Sequence, residues 1–225
     1  MSFTETVIDW DKQLLFAINQ FHSIWADQFF WLVSGHLLPI LLGIALLLFL
    51  FKDNGVNTFW YLLFLALAIV LSDTVSSTLL KPLVARLRPT HDPTIMNLLH
   101  IVNNYKGGLY GFVSSHAANT FAAAMFMSLL LRKRSLSIVV FLWAALTSYS
   151  RIYLGVHFPL DVLVGIVVGL LSGSCSYLLM RLLTNFIFKK RKIPVEPYFP
   201  NREQLYFVCI AIASLILIIG LSFNQ

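Results

Sequence analysis

Apolar blocks long enough to cross a bilayer dominate this chain, and they restrict its fold more than any single residue does. A helical crossing takes about 20 residues. Blocks of that size fall at roughly 29–51, 58–80, 113–131, 136–154, 159–185 and 205–222. Polar punctuation separates them: "KDNGVN" at 52–57, "RKRS" at 132–135 and "KKRKIPVEPYFPNRE" at 189–203. The longest interruption, 81–112, holds Pro82, Pro89 and Pro93, which break helix, and Gly107, Gly108 and Gly111, which should loosen the approach to the third span. Only 12% of the 225 residues are charged and 58% are hydrophobic. A soluble domain carries about a quarter charged residues, so the apolar excess belongs in lipid. The expected fold is all-α: a polytopic membrane protein of about six transmembrane helices, forming a single membrane domain over residues 1–225.

Residues 1–28 read differently. Val7, Trp10, Leu14, Ile18, Phe21 and Trp25 recur at helical spacing, with Asp9, Lys12, Gln13 and Gln20 elsewhere around the wheel. A helix over about 5–25 lying in the membrane interface is expected, because its polar side could not enter lipid. Glu5, Asp9, Asp11 and Asp27, without a basic region and a small-residue cleavage site, do not resemble a signal peptide. The first span is therefore expected to act as an uncleaved insertion signal. Cys175 and Cys209 fall inside spans and read as ordinary buried thiols.

The net charge of +6 could suggest a nucleic-acid partner, but the basic residues cluster beside spans. Lipid headgroups and topology explain them better, and no nucleic-acid partner is expected. Loops one, three and five hold Lys52, Arg132, Lys133, Arg134, Lys189, Lys190, Arg191, Lys192 and Arg202. The opposite face holds Lys12, Lys81, Arg86, Arg88, Lys106 and Arg151. If Lys81, Arg88 and Arg151 serve a ligand, the first face is cytoplasmic, and both termini and the long second loop face outward.

That outer face gathers costly residues. The stretch "SRIYLGVHFPLD" brings Arg151, His157 and Asp161 to the edge of a span. An arginine or aspartate costs roughly 2.5–3.5 kcal/mol at a span centre on insertion scales, so such residues read as functional. "KPLVARLRP" adds Lys81 and Arg88, and "VSSHA" adds Ser114, Ser115 and His116. Fixed cations with hydroxyl and backbone donors suit a phosphate. His157 and Asp161 are one helical turn apart and can meet if a helix starts near Pro159.

These three patches resemble the type 2 phosphatidic acid phosphatase (PAP2) superfamily, kin to vanadium haloperoxidases and glucose-6-phosphatase. The family pattern is K-x6-R-P, then P-S-G-H, then S-R-x5-H-x3-D. Lys81, Arg88 and Pro89 match the first part, and Ser150, Arg151, His157 and Asp161 match the third. In the second, Ser114 and His116 match, while Val113 replaces Pro and Ser115 replaces Gly. The resemblance covers roughly residues 72–172, leaving the N-terminal helix and the segment 189–225 outside it. It implies a metal-independent phosphatase, without cofactor, working through a phosphohistidine. His157 would be the nucleophile, Asp161 its Nδ1–H acceptor and His116 the acid for the leaving oxygen. Lys81, Arg88, Ser114, Ser115 and Arg151 would bind phosphate.

Plainer readings attach to other residues. His22, His36, His91 and His100 read as loop or interface histidines, and Arg86 as a surface charge. Lys106 with "GGLYG" fits either a lid or a simple loop. Asp73 reads as a structural hydrogen bonder between spans, and Asn119 either orients His116 or satisfies a neighbouring helix. Gly165, Gly169 and Gly173 read as a close-packing face. The resulting expectation is a membrane lipid phosphatase of a bacterial inner membrane, with its site on the periplasmic face. Polyprenyl diphosphate, phosphatidylglycerophosphate, phosphatidate and lipid A phosphates are candidate substrates. A lipid phosphotransferase, or a non-catalytic lipid-binding or transport protein, stays open as an alternative, and the sequence is silent on oligomeric state.

Overall fold

The computed structural model describes residues 3–187 and 197–223, and its architecture is all-α. The helices are α1 (Phe3–Asn19), α2 (Ile24–Ser34), α3 (Leu37–Asn54), α4 (Asn57–Asp73), α5 (Lys81–Val84), α6 (Ser115–Leu131), α7 (Arg134–Tyr153), α8 (Pro159–Ile187) and α9 (Asn201–Phe223). A π-helical segment, Thr74–Leu80, joins α4 to α5, so one apolar path runs from Asn57 to Val84. Five helical stretches are long and apolar enough to cross a membrane, and α6 is a shorter apolar helix. The basic run Lys189, Lys190, Arg191 and Lys192 lies outside the described residues.

The block expected as one span at 29–51 is two helices. Gly35 ends α2 by donating its N–H to Leu32, and Pro39 sits in the first turn of α3. A continuous helix would need a Pro39 N–H to bond the Gly35 carbonyl, and proline has none. The N-terminal helix is also shorter than expected, since the chain turns after Asn19 and Trp25 belongs to α2. Asp11, Leu15 and Asn19 form its buried side, while Trp10 and Leu14 face outward. Apolar residues thus remain on the outer surface, as an interfacial helix requires.

Helix α6 packs most extensively on α8. Its Ala117, Ala118, Ala122 and Ala124 are buried, and Gly165, Gly169 and Gly173 face it from α8. A Cβ at Gly165 would lie 2.6 Å from the Ser114 carbonyl oxygen, and one at Gly169 or Gly173 would collide with the carbonyl of Ala118 or Ala122. The small-residue face therefore lets two backbones touch, which fixes the start of α6 against the start of α8. Cys175 and Cys209 differ from expectation. Both thiols are free and exposed on the outer surface of their helices, because those positions face away from the bundle.

Candidate active site

The motif residues converge on one end of the bundle. The π segment delivers Lys81, whose ammonium donates to Ser115 Oγ at 2.9 Å. A left-handed turn at Ala85 (φ 49°) then redirects the chain so that Leu87 pairs with Tyr110. This pairing carries Arg88 inward, where Nε donates to the Tyr110 carbonyl at 3.1 Å and Nη1 to that of Val156 at 3.3 Å. Ser114 caps α6, and its backbone N–H bonds the Asp161 carbonyl at 2.9 Å, joining two motif segments directly. Arg151 sits in the last turn of α7, and a turn at Gly155 (φ 70°) leads to His157 just before α8 begins at Pro159.

His157 and Asp161 are both wholly buried. Arg88 Nη1 lies 3.1 Å from His157 Nε2, so the guanidinium, always a donor, requires a lone pair on that nitrogen and places the ring proton on Nδ1. Burial, and then the charges of Arg88, Arg151 and Lys81, hold the His157 imidazole well below its ordinary pKa, against a smaller opposing effect of the Gly111 backbone. The ring is neutral. His157 Nδ1 stands 3.5 Å from Asp161 Oδ2, a loose contact, and that oxygen also accepts the Phe158 N–H at 3.0 Å.

Arg88 and Arg151 are 8% and 3% exposed, and among the described residues neither they nor Lys81 is ion-paired to a carboxylate. Arg151 instead donates to the Ser34 hydroxyl and, at 3.5 Å, to Tyr105 Oη. Cations wholly or partly removed from water without a counter-charge are costly, and an anion with several oxygens would relieve all three. Burial and the neighbouring Arg151 charge also lower the pKa of the Arg88 guanidinium, the mark of cations crowded together.

Two cavities open onto this cluster. One of about 470 Å³ is lined by Ser115, His116, Asp73, Asn119, His36 and Trp143 among others. The second, about 270 Å³, is lined by Trp31, Ser34, Gly35, His36, Tyr105, His116 and Arg151. Ser34, His36 and Tyr105 are thus site residues that the sequence reading did not select. The break between α2 and α3 puts the first two there, and the signal for it was Gly35 followed by Pro39.

Other residues are placed as follows. Asn119 donates to Asp73 Oδ1 at 3.2 Å, tying α6 to the end of α4, so Asp73 does bond a neighbouring span. Arg86 is not a surface charge: it binds Asp161 Oδ1 at 3.0 Å and Asp11 Oδ2 at 2.6 Å. Gly107 and Gly111 are packed rather than loose, while Gly108 is open. A Cβ at Gly107 would lie 2.8 Å from Arg88 Nη1, and one at Gly111 would lie 2.8 Å from Asp161 Oδ2. Thr90 further pins the loop through the Lys106 carbonyl at 2.7 Å. His100 bonds Asp27 at 2.8 Å and stacks on His22, so both serve packing between the N-terminal segment and the loop.

Comparisons with known proteins fit this geometry. The PAP2 superfamily model matches residues 57–185. The chain is 37% identical over 196 residues to lipid A 4'-phosphatase of Bacteroides thetaiotaomicron, covering 84% of this chain and 85% of that protein. It is 34% identical over 174 residues to lipid A 4'-phosphatase of Porphyromonas gingivalis, covering 77% and 74%. Among solved structures, Aquifex aeolicus LpxE superposes with a TM-score of 0.55 at 30% identity, covering 73% of this chain and 92% of that one.

Proposed function

This chain belongs to the PAP2 superfamily and is an integral-membrane lipid phosphatase, and we propose that it removes the 4'-phosphate of lipid A, the activity named for its Bacteroides and Porphyromonas relatives. The observation that carries the phosphate chemistry is a pair of buried arginines and a half-buried lysine, none ion-paired to a carboxylate among the described residues, around a neutral histidine. The cavities suit a bulky headgroup. Trp31 and Tyr105 offer aromatic walls for a sugar ring, and Ser34 and His36 offer hydrogen bonds. An apolar cavity of about 200 Å³ between α3, α4, α6 and α7 shares Pro39, Ile69, Ala123 and Trp143 with the larger one, giving acyl chains a route into the membrane.

In this reading His157 Nε2 attacks phosphorus as the bond from phosphorus to the sugar oxygen breaks. His116, protonated for this step, gives its proton to the departing oxygen. Lys81, Arg88, Ser114, Ser115 and Arg151 hold the remaining phosphoryl oxygens, and Asp161 stabilises the positive ring of phosphohistidine. Water then attacks the phosphohistidine while His116 takes up the water proton, and inorganic phosphate leaves. Three cations supply the charge that a metal supplies elsewhere.

The catalytic end faces the periplasm in this proposal. Arg86 is neutralised by two aspartates, and Lys81, Arg88 and Arg151 are reserved for phosphate, so the loops at the opposite end carry the larger number of remaining Lys and Arg in the sequence. The test is phosphate release from lipid A, phosphatidate, phosphatidylglycerophosphate and undecaprenyl diphosphate by purified protein in excess EDTA, with His157→Ala as blank. Lipid A bearing only the 1-phosphate should be the product. Preference for a diphosphate would overturn the substrate assignment, and activity lost to EDTA but restored by a divalent ion would overturn the metal-free chemistry.

A further inference from the structure

We propose that Arg86, held by Asp11 of the N-terminal helix, is a positioning residue for the reaction: it fixes the Asp161 carboxylate beside His157 and keeps that carboxylate off the phosphate-binding cations. The inference rests on the roles given above to His157 and Asp161.

Four contacts carry it. Arg86 Nη1 donates to Asp161 Oδ1 at 3.0 Å and Nη2 to Asp11 Oδ2 at 2.6 Å. The guanidinium also lies 3.9 Å over the Phe158 ring, between the nucleophile and its carboxylate in sequence. Asp11 Oδ1 in turn accepts the Leu160 N–H at 2.8 Å, in the first turn of α8. Asp11 is 4% exposed and Asp161 is 0% exposed, so neither carboxylate has water as a substitute partner.

The arrangement divides the local charges. Asp161 is the one catalytic carboxylate, and Arg88 reaches His157, the ring that Asp161 also contacts. Arg86 and the Phe158 N–H occupy both of its oxygens. A planar guanidinium can grip two carboxylates at fixed angles, and an ammonium cannot reproduce that fork. Arg86 already has each terminal nitrogen on a carboxylate and one face on the Phe158 ring. Through Asp11 the same chain of contacts ties the catalytic dyad to α1, which carries Trp10 and Leu14 on its outer surface. The interfacial helix, outside the family motif, thereby becomes part of the catalytic machinery.

The test uses the full chain purified in detergent, with dioctanoyl phosphatidate as the probe beside lipid A. Arg86→Gln should lower kcat by about 100-fold while KM stays within about threefold of wild type, the pattern of a group acting through another. In an Asp161→Asn background it should cost nothing further, because the residue it orients is gone. Asp11→Asn should lower kcat in the same direction by roughly tenfold, and Arg86→Lys should recover part of the loss. If Arg86→Gln does not fold, Asp11→Asn and Arg86→Lys are taken through the same cycle. A rise in KM alone would make Arg86 a phosphate ligand and overturn the inference. Full additivity with Asp161→Asn, or an unchanged kcat per folded molecule, would overturn it too. Wild-type protein without turnover on either lipid would sink the phosphatase reading, and the inference with it.

Discussion

Arg88 places Nη1 3.1 Å from Nε2 of His157 and anchors that same nitrogen on the Val156 carbonyl and Nε on the Tyr110 carbonyl. The same side chain therefore sets the histidine tautomer and, in the proposed mechanism, would donate to the transferring phosphoryl group. A lysine can supply the charge but not three donors at fixed angles. Arg88→Lys should lower kcat by about 10²–10³-fold, the loss typical of a preorganised donor at developing charge. Steady-state kinetics checks this, and a variant within about threefold of wild type would show that charge alone suffices.

Phosphorylation should occur on His157 and nowhere else. Rapid quenching with labelled substrate should trap a base-stable, acid-labile phosphoenzyme in wild type and none in His157→Ala. His116→Ala should still form some, with both formation and breakdown slowed, since it loses proton transfer and keeps the nucleophile. Label recovered on His116 would reverse the two roles.

The glycine loop offers a steric test with an internal control. A Cβ at Gly111 meets Asp161 Oδ2 at 2.8 Å, and one at Gly107 (φ 67°) meets Arg88 at the same distance, whereas nothing lies within 4 Å of one at Gly108. Gly111→Ala and Gly107→Ala should each cost roughly 1–3 kcal/mol in stability, transition-state binding or both, as overpacking does. Gly108→Ala should behave like wild type in activity and melting. Equal effects at all three would argue for general loop flexibility instead.

Acid stability should carry the imprint of His157. Its folded pKa is held well below the ordinary value by burial and by Arg88, Arg151 and Lys81, while the unfolded chain titrates near ~6.5. Below that pH the unfolded state binds a proton that the folded state refuses. Stability should thus be flat in this group above about pH 6.5 and fall by up to ~1.4 kcal/mol per unit beneath it. Thermal melts in detergent from neutral to acidic pH should show the slope, and His157→Asn should reduce it by one proton. An unchanged slope would contradict the neutral buried ring.

Membrane orientation can be read by labelling. Lys106 is exposed at the catalytic end, and Arg134 is exposed at the start of α7, at the other end of the bundle. With Cys175 and Cys209 replaced, a cysteine at Lys106 should react with a membrane-impermeant maleimide in intact cells, and one at Arg134 should not. The opposite pattern would place the chemistry on the cytoplasmic leaflet and redirect the choice of lipid.

The membrane class and most of the spans were legible in the sequence, because an apolar block of bilayer length has few other fates. Spacing also brought out Lys81, Arg88, Arg151, His157 and Asp161, since residues at fixed intervals around helix ends are the local part of the site. The packing role of Gly165, Gly169 and Gly173 could be read in the same way. Tertiary structure alone decided which donor meets which acceptor. Arg86 and Arg88 are two residues apart and chemically identical, yet one grips Asp161 and Asp11 while the other takes His157. Those partners lie about 70 residues or more away along the chain. The break at Gly35 likewise turned an apparent single span into two helices and moved Ser34 and His36 into the site. Periodicity records which face of a helix is apolar. It holds no record of which distant side chain will meet a given polar group, and in this protein that pairing puts Arg86 on Asp161 and Asp11 and leaves Arg88 for His157.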